Sequence, residues 1–194
     1  MKWLLGSTGF LLFLLYDLNS VKWNKRWMKT LFPTGCFSVL AGTVLAVRQD
    51  IGDGFVMDIK GVISMILACV CLGLLIYTLF FALPFSDTYV EETCERNVCD
   101  TGMYAFCRHP GVIWFFLCYL FGGIALQEGA LLSVGIMMSV WNLVYVIFQD
   151  RYTFLRTFSN YEAYQKETPF LIPNRDSILK GVTTWKKRGE KDAV

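Results

Sequence analysis

The segment Thr101–Pro110 concentrates the side chains best suited to chemistry, and it reads Thr-Gly-Met-Tyr-Ala-Phe-Cys-Arg-His-Pro. Pro110 suits the first turn of a helix, because its missing N–H group would have no intrahelical partner there. The free N–H groups of that helix end, together with the fixed positive charge of Arg108, favour binding of a carboxylate or phosphate. His109 is the only histidine in the chain and is predicted at the same helix end, where it could accept a proton. The simpler alternative is that Arg108 meets lipid headgroups and that His109-Pro110 only caps the helix.

A second polar segment follows the last long apolar stretch. Gln149 and Asp150 are predicted where the last span leaves the bilayer, so their oxygens could accept hydrogen bonds from an ammonium group. Tyr161 and Tyr164 are three residues apart and therefore share one face of a helix. The alternative for the two tyrosines is a membrane-interface belt, where such residues are common.

The elements that position these side chains are predicted to be membrane helices. Charged residues make up 18% of the 194 residues, against about 25% in a soluble domain. Five windows contain no Asp, Glu, Lys or Arg: 3–16, 30–47, 61–84, 111–127 and 130–148. A transmembrane helix needs about 20 apolar residues. The first window is too short to span a membrane by itself, so residues 17–21 are needed to complete its helix. We therefore expect an all-α, polytopic membrane bundle of about five transmembrane helices, with a short cytosolic C-terminal helix and tail. This pattern excludes a soluble globule, a disordered tail and a nucleic-acid-binding domain.

The distribution of basic residues predicts the orientation in the membrane. Four of them separate the first two windows, whereas the loop 48–60 has two basic residues against three aspartates. The chain after Phe148 carries nine Lys or Arg residues. Because cytoplasmic loops carry the excess of Lys and Arg, the N-terminus is predicted outside and the C-terminus in the cytosol. A cleaved signal peptide is the less favoured alternative for the first window, since no small-x-small cleavage site follows it.

The chain is predicted to form one integral membrane domain over residues 1–194, with upstream helices in 1–84 and a motif-bearing core at about 101–173. Its cysteines predict neither a disulfide framework nor a metal site. Cys94, Cys99 and Cys107 fall on the predicted cytosolic side, where thiols stay reduced. One histidine and no second cysteine pair are too few for the usual zinc ligand sets.

The two polar segments resemble a known membrane family. The pattern Gly-x-Tyr-x-x-x-Arg-His-Pro before a span is similar to the C-terminal core of the isoprenylcysteine carboxyl methyltransferases and the phospholipid N-methyltransferases. An acidic pair at the end of the next span, spaced tyrosines and a closing proline pair complete the likeness. The family usually has two glutamates where this chain has Gln149-Asp150, and an aromatic residue where it has Gly111-Val112. The matching residues are Gly102, Tyr104, Arg108, His109, Pro110, Asp150, Arg151, Tyr161, Tyr164, Pro169 and Pro173.

The resemblance implies a methyltransferase that uses S-adenosyl-L-methionine (SAM) and acts on a lipid or lipidated, prenylcysteine-like acceptor at the cytosolic membrane face. It assigns catalytic roles to Arg108, His109 and Asp150. Its expected partners are the acceptor and membrane lipids, without nucleic acid or metal. The cofactor-binding residues that it implies are Gly102, Tyr104, Arg108, His109, Pro110, Gln149, Asp150, Tyr161 and Tyr164.

Two alternatives remain open from the sequence. Membrane steroid and enone reductases that use NAD(P)H resemble the same C-terminal hairpin, and the Asp150-Arg151 pair is slightly similar to theirs, but the chain lacks their Lys-Tyr-Gly and Trp elements. The other alternative is a non-catalytic membrane protein that has kept the fold.

Overall fold

The computed structural model describes residues 1–52, 55–82, 97–127 and 129–191, with only the backbone described for 185–191. Every regular element in these ranges is helical, which confirms the predicted all-α class. The predictions for Cys94 and for most of the cytosolic loop around it lie outside the described residues. The α-helices are α1 Lys2–Leu18, α2 Leu31–Asp50, α3 Ile59–Ile76, α4 Met103–Phe106, α5 Pro110–Leu126, α6 Ala130–Phe148, α7 Phe154–Thr157, α8 Tyr161–Glu167 and α9 Arg175–Lys191.

Three of the long helices continue into short π-helical segments. Asn19–Trp23 follows α1, Tyr77–Phe81 follows α3 and Gln149–Thr153 follows α6. A π-turn closes i→i+5 hydrogen bonds instead of i→i+4 bonds, so it rotates the side chains that follow it. Gln149 opens the third of these segments, and its backbone N–H still donates to the Tyr145 carbonyl four residues earlier, as in an α-helix.

Within the described residues, four helical stretches are long and apolar enough to cross a membrane: Lys2–Trp23, Arg26–Asp50, Ile59–Phe81 and Ala130–Thr157. They coincide with four of the five predicted windows. The fifth window forms α5, a shorter apolar helix of 17 residues. The length and composition of these helices are consistent with a membrane protein, and the orientation of the two termini stays a prediction.

The described chain divides into two compact units, and the first comprises residues 1–72 and 114–153. In it, α1 and α2 pack closely through glycines. A Cβ atom built on Gly9 would lie 2.9 Å from the carbonyl oxygen of Gly35, and one built on Gly35 would lie 3.0 Å from that of Gly9. Small residues allow such backbone approach between membrane helices. The buried core of this unit consists of Phe10, Ala46, Leu126, Leu131, Val134 and Met138.

The second unit comprises residues 73–113 and 154–194 and joins the C-terminal helix to the first motif. Its α9 packs on α4 at Gly181, where a Cβ atom would meet the ring of Phe106 at 2.7 Å. Lys180 on α9 donates hydrogen bonds to Asp100 at 2.8 Å and to Glu167 at 3.0 Å. Burial alone would lower the pKa of Lys180, but these two carboxylates raise it. Lys180 thus stays positively charged and holds α9 beside the residues that begin the first motif.

Asp50, at the C-terminal end of α2, caps the N-terminus of α6 within the first unit. Its Oδ1 accepts the N–H of Ala130 at 2.9 Å and its Oδ2 accepts the N–H of Leu131 at 2.7 Å. The carboxylate is 1% exposed, so both bonds are shielded from water. The first N–H groups of a helix have no intrahelical acceptor, which is why an anion is stabilising at this position.

Replacing this cap tests the packing of the first unit. We expect Asp50→Ala to lower the free energy of unfolding by about 1–3 kcal/mol, because it removes two hydrogen bonds to a charged acceptor and leaves two buried donors unsatisfied. Thermal unfolding in detergent measures the effect. The matched control is Arg48→Ala, an exposed change on the same helix that should leave the midpoint in place. Equal midpoints for Asp50→Ala and the control would contradict the capping role.

Candidate functional site

Gly102 starts the first motif in a conformation that other residues rarely adopt. Its φ is 61° and its ψ is −127°, a region open essentially to glycine. A Cβ atom there would meet nothing within 4 Å, so the backbone angle and not the space requires glycine. The N–H of Gly102 donates to Thr184 Oγ1 at 3.2 Å, which ties the turn to α9. This turn sets the direction in which α4 and Tyr104 enter the site.

The residues before Pro110 pair with the chain that follows α8. The backbone N–H of Arg108 donates to the carbonyl of Pro169 at 2.9 Å, and that of His109 donates to the carbonyl of Phe170 at 3.2 Å. A residue before proline is biased towards extended backbone, which suits this strand-like pairing. The two motifs, about 60 residues apart in the sequence, therefore meet directly in the second unit.

The Arg108 side chain closes the C-terminal end of α8. Its Nη1 donates to the carbonyls of Gln165 at 3.0 Å and of Thr168 at 2.6 Å. The last carbonyls of a helix lack intrahelical donors and carry the negative end of its dipole, so a fixed cation suits them. The guanidinium also lies 5.6 Å from the ring centroid of Phe170. A ligand anion at Arg108 would therefore share the guanidinium with these carbonyls.

His109 is buried against aromatic rings. It is 7% exposed, and its ring lies parallel to that of Phe154, with a centroid distance of 6.0 Å. The ring of Phe170 meets it edge-on at 5.0 Å. Pro110 follows at once and begins α5, as predicted from the sequence. His109 thus sits at the start of an apolar helix, with aromatic faces on two sides.

The predicted tyrosines form a chain of hydrogen bonds to backbone carbonyls. The hydroxyl of Tyr164 donates to the carbonyl of Tyr104 at 2.6 Å, and the hydroxyl of Tyr104 donates to the carbonyl of Thr78 at 3.1 Å. Burial raises the pKa of both hydroxyls above their ordinary value, so both remain protonated donors at neutral pH. Tyr161 is 2% exposed and packs edge-on against Phe154 at 5.4 Å. The predicted common face of Tyr161 and Tyr164 is thus buried inside the second unit.

The side-chain hydroxyl of Thr168 is buried in the second unit. The residue is 1% exposed, and its Oγ1 makes no hydrogen bond within the part of the chain that the structure describes. Its own carbonyl accepts from Arg108. A buried hydroxyl without a partner is costly, so one beside a cation marks a place that a polar ligand group could satisfy.

Gln149 and Asp150 belong to the first unit. Gln149 Nε2 donates to the Tyr145 hydroxyl at 2.9 Å, and Asp150 is 5% exposed. Seven of the nine predicted cofactor-binding residues therefore lie in the second unit and two in the first. The predicted proximity of these two residues to Arg108 and His109 stays a prediction.

Asp17 is a buried acidic residue to which the sequence interpretation gave no role. It is 5% exposed and interacts with the side chains of Gln149, Tyr145 and Thr153, all in the first unit. Its signal in the sequence was a carboxylate placed inside a predicted span, where charge is expensive and commonly functional. Phe154 and Phe170 were also missed as neighbours of His109, because a ring in an aromatic-rich tail has no distinctive spacing.

Comparison of the chain with protein-family models, with curated proteins and with solved structures finds no match. Within the described ranges, no group of three or more His, Cys, Asp or Glu side chains could hold a metal ion.

Cys107, next to Arg108, tests how closed this region is. It is 2% exposed, and burial raises the pKa of its thiol to about 11. Only the thiolate reacts with iodoacetamide, so we expect Cys107 to resist alkylation at about pH 8 in the folded protein and to react after unfolding. Cys99, which is more exposed, is the internal comparison in the same peptide mass analysis. Labelling of Cys107 as fast as Cys99 in folded protein would contradict the buried site.

Proposed function

We propose that the protein is a SAM-dependent methyltransferase that acts on a lipid or lipidated substrate at the cytosolic face of a membrane. The observation that carries the proposal is the direct pairing of the segment around Arg108 and His109 with the segment after α8. These are the two segments whose residues resemble the methyltransferase family. Their contact is what a shared site requires, since residues far apart in the sequence serve one site only when the fold brings them together.

The second unit has features that fit the cofactor. The amino-acid end of SAM carries a carboxylate, for which Arg108 and the N-terminus of α5 supply positive charge. The buried Thr168 Oγ1, which lacks a partner among the described residues, suits a polar ligand atom. Aromatic faces attract cations, and the rings around His109 provide such faces for a sulfonium. Bound SAM would supply a methyl group on that sulfonium.

The chain's own residues would act mainly by positioning. Methyl transfer is an in-line displacement, so orientation of the acceptor accounts for much of the rate. A carboxylate acceptor is already nucleophilic and needs no base. An amine acceptor must first lose a proton, and His109 Nδ1 or Nε2 or the Asp150 carboxylate could accept it. The apolar spans would hold the lipid portion of the acceptor at the membrane surface.

Calorimetric titration of purified protein with SAM, and with S-adenosylhomocysteine as its demethylated product with an uncharged sulfur, tests the proposal. We expect saturable binding of both ligands by the wild type. His109→Ala should bind SAM about tenfold more weakly, because that change removes a ring beside the proposed sulfonium position. Lys166→Ala, an exposed change on α8, is the matched control and should bind like the wild type. The same titration with NADPH examines the reductase alternative.

A non-catalytic membrane protein is the second candidate, and one observation favours it. Arg108 Nη1 and the hydroxyls of Tyr104 and Tyr164 all donate to backbone carbonyls, as side chains that only brace the fold would do. If the protein is non-catalytic, we expect Tyr164→Phe to lower the midpoint of thermal unfolding. We also expect that no adenosyl ligand raises the midpoint of the wild type. Well-folded wild type that binds neither S-adenosylhomocysteine nor NADPH would support this candidate against both enzymes.

A further inference from the structure

A buried carboxylate lies inside the first candidate span. Asp17 sits on α1, within the stretch Lys2–Trp23, and is 5% exposed. An ionised carboxylate away from water costs several kcal/mol unless it is paired, and such residues in membrane spans are rare and commonly functional. The charge of Asp17 therefore needs a partner.

The described protein supplies polar neighbours but no positive charge. Asp17 interacts with the side chains of Gln149, Tyr145 and Thr153, all of them neutral. Its Oδ2 is buried and makes no hydrogen bond to any described group. No described Lys or Arg forms an ion pair with it: Lys22, the next basic residue along the chain, is exposed and lies 5.9 Å from the ring of Tyr152. One carboxylate oxygen is thus buried without a hydrogen-bond partner among the described residues.

The surroundings favour an organic cation over a metal ion. Phe13 lies one turn before Asp17 on α1 and shares its helix face, and its ring is 5.7 Å from that of Tyr145. Tyr16 packs against Phe32 at 5.4 Å on the same helix end. Hard metal cations require a shell of oxygen ligands, which ring faces cannot provide, whereas aromatic faces attract alkylammonium groups.

We infer that Asp17, Tyr145 and Gln149 form a binding site for a primary alkylammonium group. The N–H donors of the ammonium would bond to Asp17 Oδ2, and the neighbouring ring of Phe13 would face its carbon chain. Gln149 was predicted to receive an ammonium together with Asp150. That role stays a prediction, and the structure connects Gln149 with Tyr145 and Asp17.

The aminoethyl headgroup of a phospholipid carries this chemistry at a membrane surface. Its assignment to Asp17 does not depend on the proposed function. The experiment has two arms, one with dispersed lipids and one with bilayers.

The first arm compares a short-chain phosphatidylethanolamine with the matched short-chain phosphatidylcholine by calorimetry in detergent. We expect the wild type to prefer the amine by about 10- to 100-fold, the usual value of a hydrogen-bonded charge, and Asp17→Asn to lose that preference. Tyr145→Phe keeps the ring, removes the hydroxyl and should reduce the preference in part. Asp176→Asn, an exposed carboxylate change on α9, is the control and should keep it.

The second arm measures thermal unfolding in phosphatidylcholine nanodiscs that contain either phosphatidylethanolamine or phosphatidylglycerol. Phosphatidylcholine has no N–H donor on its ammonium, so it serves as the background. We expect the phosphatidylethanolamine discs to raise the midpoint of the wild type but not that of Asp17→Asn. Midpoints in plain phosphatidylcholine discs establish that each variant folds.

The outcomes separate the two proposals. A preference for the phosphatidylethanolamine amine that disappears in Asp17→Asn, in either arm, supports the ammonium site. The lipid effect without any binding of S-adenosylhomocysteine supports the site while the methyltransferase proposal fails. If the wild type shows no amine preference in either arm, or if Asp17→Asn retains every preference that the wild type shows, the ammonium site is overturned. If the ammonium site is overturned but Asp17→Asn still binds S-adenosylhomocysteine like the wild type, the methyltransferase proposal remains intact.

Discussion

The hydrogen bonds from Arg108 to the end of α8 hold the second unit together. Nη1 bridges the carbonyls of Gln165 and Thr168, and the backbone of Arg108 and His109 pairs with the next two residues of the tail. A guanidinium is permanently charged and carries several donors in a fixed plane, so it can close a helix end and still contact a ring. This interaction fixes the position of α8, the hydroxyl of Thr168 and the aromatic wall of His109. It also means that Arg108 stabilises the fold whether or not it binds a ligand.

The first unit depends on buried acidic residues used in two ways. Asp50 is satisfied, because both of its oxygens accept N–H groups at the start of α6. Asp17 is also buried, but its Oδ2 has no hydrogen-bond partner among the described residues. The π-helical segment Gln149–Thr153 brings neutral polar side chains to Asp17, and such segments occur frequently at functional sites. Because both oxygens of Asp50 have hydrogen-bond partners and one oxygen of Asp17 does not, we interpret Asp50 as structural and Asp17 as part of a binding site.

Much of the fold could be predicted, but less of the site. Four uncharged windows form long membrane-type helices, and Pro110 begins α5 as its residue type predicts. Arg108 and His109 pair with Pro169 and Phe170, and the common role of the two motif segments stays a prediction. The sequence did not indicate that Arg108 would cap α8, because that bond joins residues about 60 positions apart. It did not indicate a partnership of Asp17 with Gln149, because the two residues lie on different helices, about 130 positions apart in the sequence.

By itself, the sequence determined the class of the protein. Hydrophobicity adds up along each segment without reference to any partner, so the absence of charge over some 20 residues is enough to specify a membrane-type helix. It also determined which residue types stand at the ends of those helices. The state of each polar group was decided by the tertiary fold. Whether a carboxylate, a hydroxyl or a guanidinium is satisfied depends on donors and acceptors within about 3 Å, and residues distant in the chain supply them.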